Sequence, residues 1–301
     1  MCEIMLGELA ALGAALSWTV SAVMYKEALE KTKPISANIV RLASTSAILI
    51  VFVLAVGKFW VLMDLPLEAV VIACISGIIG LGFGDTLYMK SLKLVGVARA
   101  VPITCTYPLF NLLWATLLAN ETINAPIVVG AFAIVFGIWL LSQKGKGVVE
   151  ALEKRTLVIG VASAVLTAII WSISITMINL AVKNTPDLEH ALAINVIRTT
   201  AIAASLLALA PIIDREHGFL KMQKRTFVAL VFGGLVALGL GWFFLTYSFT
   251  QTTEAQAVPI SSTTPLFSTL SAIIFLHEKV TIRDVAGSII IVAGIFLIFT
   301  A

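Results

Sequence analysis

Two copies of one hydrophobic pattern make up this chain. Leu81-Gly82-Phe83-Gly84, Val101-Pro102-Ile103, Pro108-Leu109-Phe110, Glu121, Gly130 and Gly137 run through the first half. Leu238-Gly239-Leu240-Gly241, Val258-Pro259-Ile260, Pro265-Leu266-Phe267, Glu278, Gly287 and Gly294 answer in the second, each 157 positions on, as from 102 to 259 or from 121 to 278. Asn38 and Arg41 keep that offset to Asn195 and Arg198, while Trp18-x-x-Ser21 returns 153 positions later as Trp171-x-x-Ser174. A duplication inside an apolar chain is the pattern of secondary transporters, whose two halves enclose a pathway. Transport is therefore the leading expectation.

Composition excludes a soluble fold. Of 301 residues 59% are hydrophobic and 12% charged, against about 25% charged in soluble domains. A bilayer core ~30 Å thick needs about 20 apolar residues per helix. Cutting at charged and Pro/Gly-marked breaks leaves ten such stretches: 7–25, 35–57, 67–88, 97–119, 125–142, 157–181, 190–212, 226–249, 255–276 and 282–300. The expected fold is an all-α integral membrane protein with ten transmembrane helices and no separate soluble domain. Glu3 and Glu8 stand where a signal peptide would carry its basic region, so the first stretch reads as a span. Cys2, Cys74 and Cys105 have no metal or disulfide spacing, and the latter two read as small apolar fillers within helices.

The loops after spans 1, 3, 5, 7 and 9 hold most of the Lys and Arg, from Lys31 and Lys93 to Lys144, Arg155, Lys224 and Arg283. Lys58 and Lys183 lie on the other side. Basic loops stay cytoplasmic, so both termini are expected outside. Five spans per half is an odd number, which inverts the second half relative to the first and relates the two by a pseudo-twofold axis in the membrane plane. The repeats are placed at 1–143 and 155–301, joined by a linker containing Gly145 and Gly147.

The repeated residues nominate a site. Gly77, Gly80 and Gly84 share one face of the third span, and Gly234, Ala237 and Gly241 repeat it in the eighth. Small residues at this spacing let helix backbones approach, or keep a face open beside a cavity. Pro102 and Pro108 interrupt the fourth span and Pro259 and Pro265 the ninth. Each removes a helical hydrogen bond. The hydroxyls between them, Thr104, Thr106 and Ser261 to Thr264, can satisfy freed carbonyls or face substrate. Interrupted helices at matching positions point to a transporter's site, so these prolines are gate candidates. Trp18 and Trp171 fall mid-span with Ser21 and Ser174 one turn away, where a polar cavity or a Trp–Ser packing contact would use the indole N–H.

Arg41 and Arg198 are intramembrane charges, functional candidates by default. Inverted topology sets them near opposite faces, each snorkelling or pairing rather than sharing one site; binding an anionic group from one side is the alternative. Asp85 breaks the symmetry, because Trp242 stands 157 positions later. It could carry protons or bind a cationic group, and pairing with a nearby Lys is the plainer expectation. Glu121 and Glu278 precede the fifth and tenth spans, where a carboxylate caps a helix. No phosphate loop, metal cluster or nucleophile–base arrangement emerges, with His190, His217 and His277 dispersed. An enzyme is not expected.

A Trp in the first span, Asn-x-x-Arg in the second, a Gly-rich third, Pro108-Leu-Phe…Glu121 and Gly130/Gly137 together resemble the EamA family of the drug/metabolite transporter superfamily. The second half matches again. The resemblance implies an inverted five-plus-five helix arrangement around a cavity lined by spans 1, 3, 4, 6, 8 and 9. It also implies cargo among amino acids, other metabolites or drugs, frequent export and, in several members, proton coupling. Family members usually keep both termini cytoplasmic, against the loop charges here. The reading is a secondary-active plasma-membrane exporter of a small organic metabolite, such as an amino acid, by alternating access. Cavity candidates are Trp18, Ser21, Asp85, Tyr88, Asn111, Trp171, Ser174 and Tyr247. A flippase of lipid-linked cargo and a non-transporting scaffold are the alternatives. No cofactor, metal or nucleic acid is expected; the partners are lipid, a small solute and, conceivably, a second copy.

Overall fold

The computed structural model describes residues 4–96, 100, 103–142, 154–183, 185, 187–267, 270 and 282–301. Cys2, Pro102, His277, Glu278 and the linker 143–153 lie outside these, as do the basic residues Lys144, Lys146 and Lys279. The described residues form ten apolar helical spans with no strand. Span 1 is Ile4–Glu30, span 2 Pro34–Ala55, span 5 Ala125–Ser142, span 6 Lys154–Val182, span 7 Leu188–Ile213 and span 10 Ile282–Phe299. Spans 3 and 8 run over Leu67–Val95 and Lys224–Gln251. Span 4 contains Tyr107–Leu117 and span 9 Glu254–Ser261. The helices extend past the apolar stretches because charged ends such as Lys154-Arg155 join the first turn without leaving water. A short helix, Trp60–Asp64, sits in the loop after span 2, where only a connector was expected. Phe132, Trp139, Val292 and Phe296 project outward from spans 5 and 10, as lipid contact requires.

Contacts between the repeats obey the inversion. A Cβ on Gly130 would lie 2.7 Å from the Gly294 carbonyl, and one on Gly137 2.8 Å from that of Gly287. Because 130 corresponds to 287 and 137 to 294, each contact is the other's image under an antiparallel twofold; parallel repeats would pair 130 with 287. The same operation turns the packing of span 1 on span 8 into that of span 6 on span 3, and both of these contacts between the repeats are made. Spans 2 and 7 cross one another on the axis, as do spans 5 and 10.

Spans 3 and 8 are not regular α-helices, contrary to the sequence expectation. Gly77–Gly84 and Leu235–Gly241 are π-helical, wound with an extra residue in the turn. The repeated asparagines match this widening. Asn38 Nδ2 donates to the Leu81 carbonyl at 2.9 Å, and Asn195 Nδ2 to that of Leu238, also at 2.9 Å. An amide from the neighbouring span thus binds carbonyls inside each π segment, where lipid could not. The small residues of these segments serve close packing: a Cβ on Gly77 would stand 2.4 Å from the Arg198 carbonyl, one on Gly84 2.8 Å from the Trp171 ring and one on Gly241 2.6 Å from Trp18 Nε1.

Span 4 is broken by a turn at 105–106 and span 9 by one at 262–263, the same place in each repeat. Pro108 and Pro265 follow the breaks, in the first turn of the resumed helix, while Pro259 precedes the second. Thr106 and Thr263 each donate at 2.7 Å to the carbonyl three residues back, Ile103 and Ile260. Each hydroxyl thus adds a second bond to a carbonyl that also accepts, at 3.2 Å, from the backbone N–H of the same threonine. Cys105 sits in the first of these turns, buried, rather than within a helix as its apolar setting implied.

Candidate functional site

Two polar clusters are buried where the repeats meet. The first gathers on Asp85, at the start of Asp85–Val95. Its carboxylate pairs with the Arg41 guanidinium, both side chains being about 5% exposed or less. It also accepts from Trp171 Nε1 at 2.8 Å. Arg41 is oriented by Nε donation to Asn38 Oδ1 at 2.9 Å and lies over the Tyr25 ring, 5.1 Å from its centroid. Tyr88 and Tyr107 pack on Trp171 at 5.0 and 6.2 Å, and Tyr107 exchanges a hydrogen bond with Ser261 beside the break in span 9. The partner of Asp85 is thus an arginine of span 2 and not a nearby lysine. The i+44 separation hid this from local spacing.

Arg41 and Arg198 do not snorkel: they are 3% and 0% exposed. Arg41 takes the Asp85 carboxylate, while Arg198 has hydrogen-bond partners of its own on spans 3 and 6. Arg198 differs from its mate. Trp242, at the place Asp85 holds in the first repeat, puts its ring face 4.0 Å from the Arg198 guanidinium. Nε donates to Ser76 and Nη2 to Ser174, both at 3.1 Å. Ser174 therefore anchors an arginine, while Ser21 hydrogen-bonds only its own helix at Trp18. Trp18 Nε1 donates to the Ala237 carbonyl at 3.2 Å and its ring meets Trp242 edge-on. Tyr247 stacks on Phe243, apart from the charged groups.

The second cluster centres on Glu254, which the apolar stretches place between spans 8 and 9. It begins span 9 and is 0% exposed. Asn111 and Thr176 reach its Oε1, and Asn179 donates to Oε2 at 2.8 Å. Glu121 accepts from the Glu254 and Ala255 backbone N–H groups at 2.9 and 3.0 Å, so it caps span 9 and not the fifth span that follows it. The fifth span is capped instead by Asn124, which accepts from Ile127 N. A usable signal existed: Glu254 breaks the repeat as Asp85 does, its counterpart being Val97. Glu8, taken for part of an acidic N-terminus, is also buried and accepts from Thr252 at 3.3 Å. Among the described residues no three His, Cys, Asp or Glu side chains gather as a metal site.

Comparison with known proteins agrees with this architecture. The model of the EamA-like transporter family matches residues 5–143 and again 158–300. An uncharacterized transporter of Archaeoglobus fulgidus is 25% identical over 296 residues, covering 98% of each chain. An uncharacterized transporter of Clostridium kluyveri is 20% identical over 73% of this chain and 69% of its own. Solute carrier family 35 member G1 of Mus musculus is 29% identical over 54% of this chain and 41% of its own. A protein crystal structure superposes with TM-score 0.76 at 20% identity, covering 97% of this chain and 95% of that one, and shows the same fold.

Proposed function

The chain belongs to the EamA-like transporter family, and from that premise we propose that it is a secondary-active exporter of a small organic solute, working by alternating access in the plasma membrane. The observation that carries this is the paired discontinuity. Turns at 105–106 and 262–263 and π segments at Gly77–Gly84 and Leu235–Gly241 recur at equivalent places around the buried Asp85 cluster. Discontinuous helices that enclose a polar site at a repeat interface are what a rocking transporter needs; a scaffold has no use for them. A flippase would call for a lateral opening, which none of these contacts suggests. Loop charge supports both termini outside. Trp171 and Tyr107, joined edge to face, would bound the cargo beside the span 9 break. Trp171→Ala and Pro265→Ala are each expected to cut flux in proteoliposomes at least tenfold while the protein stays folded and inserted. Undiminished flux in both would remove the site from these residues.

Proton coupling is part of this proposal, and its carrier is Glu254 and not Asp85. Asp85 is held by Arg41 and Trp171, whereas no cation pairs with Glu254 among the described residues. Asn111 Nδ2 and the Thr176 hydroxyl make five approaches to Glu254 Oε1, to the Ser172 carbonyl and to each other. Only three hydrogens serve them, so a proton on Oε1 can be donated to Thr176, whose own hydrogen turns to Ser172, with no acceptor lost. The charged groups around it are Glu121 beneath its helix N-terminus, Glu8 of span 1 by way of Thr252, and Lys183 at the end of span 6, bound to the Ala119 carbonyl. Glu254→Gln holds the neutral form, so flux should become independent of an imposed pH gradient while equilibrium exchange of cargo continues. A gradient response equal to the wild type's would end the assignment.

A further inference from the structure

We propose that Arg198 is the docking point for a carboxylate of the cargo, which makes the substrate a small organic anion or zwitterion of amino-acid type. This rests on the transporter reading above and adds to it the residue that recognises the cargo and the group it recognises. The two repeats supply the comparison. In the first, Arg41 has Asp85 as counter-ion and Asn38 Oδ1 as a second acceptor. In the second, both places are vacant of such partners. Trp242 stands where the acid would be and Nε goes to the Ser76 hydroxyl; among the described residues Arg198 Nη1 has no hydrogen-bond partner although fully buried, and Asn195 Oδ1, one turn before it, is likewise buried and unpartnered.

The two arginines therefore have one acid between them at these places, Asp85, whose negative charge Arg41 already takes up. A buried cation lacking a hydrogen-bonded counter-ion is strongly unfavourable, and a buried N–H without an acceptor adds to that. A cargo carboxylate on Nη1 answers both. The indole face of Trp242 covers the guanidinium, 4.0 Å from it, with Trp18 edge-on to that ring, so the arginine is set among apolar rings that offer it no acceptor. The free Asn195 carbonyl, on the same helix face, is placed to accept from an ammonium group. A carboxylate fits these groups; a bare amine would set a second cation against Arg198.

Thermal unfolding of the purified protein is followed with phenylalanine, with 3-phenylpropanoate, which lacks the amine, and with phenethylamine, which lacks the carboxylate. The two carboxylates should raise the midpoint in a dose-dependent way, by linkage to the folded state, and the amine should not. Arg198→Gln should abolish the shift and Arg198→Lys should keep part of it. Trp242→Asp should abolish it too, by giving Arg198 the internal acid that Arg41 has, and should do so in protein that elutes as the wild type does. Stabilisation by the amine alone, retention of the carboxylate shift in Arg198→Gln, or no shift with either carboxylate in the wild type would each overturn the proposal. Flux separates the two claims. A wild type that moves some cargo but ignores carboxylates loses only the anion site, while one that moves nothing in a broad panel loses the transporter reading itself.

Discussion

Asp85→Asn should destabilise the protein by about 3–5 kcal/mol, the usual consequence of removing one partner of a buried ion pair. Asn keeps the size of the side chain and can still meet Trp171, so the loss reports charge and little else. Arg41 would be left with the Asn38 carbonyl oxygen and the Tyr25 ring. A desolvated cation–π contact contributes about 2 kcal/mol or more, and this one is already present beside the carboxylate, so it does not grow to replace it. The double variant Arg41→Gln, Asp85→Asn removes charge from both sides and should regain most of the single variant's loss. Reversible unfolding in detergent provides the comparison. If the double variant were less stable than the single by the full effect of Arg41→Gln, the pair would be uncoupled and the account of this cluster wrong.

Gly77→Val should be the most damaging of the glycine substitutions in spans 3 and 8. The added Cβ would stand 2.4 Å from a backbone carbonyl, that of Arg198, which cannot rotate away. Overpacking of a rigid site costs about 1–3 kcal/mol and occasionally more. Here the displaced backbone also carries the arginine whose Nε and Nη2 bond Ser76 and Ser174, so the upper end is expected. Gly239→Ala is the control. Its nearest neighbour is the end of the flexible Leu235 side chain at 3.1 Å, and an effect within about 1 kcal/mol is expected. The midpoints of thermal unfolding rank the two; an equal response would mean that span 3 does not depend on close approach to span 7.

Much of this protein could be read from residue order alone. Apolar run lengths decide the number of helices, because a bilayer leaves backbone groups no partner but their own helix. The offset of 157, with an odd number of spans per repeat, decides the inversion, and the pairing of Gly130 with Gly294 and Gly137 with Gly287 is its consequence. The broken fourth and ninth spans were likewise visible in Pro108 and Pro265. Tertiary structure decided what the repeated polar residues do. Asn38 and Asn195 bind π-helical carbonyls on other spans, which no periodicity encodes, since the partner lies 43 positions away. Arg41 and Arg198 have one sequence context and two environments, an acid in one repeat and an indole face in the other. Glu254 falls between apolar stretches in the sequence, and Asn111, Thr176 and Asn179 from two other spans close over it. Periodicity fixes which face of a helix is buried; only the crossing of the helices fixes which charge that face meets, and there the energies of a buried ion and the proposed chemistry reside.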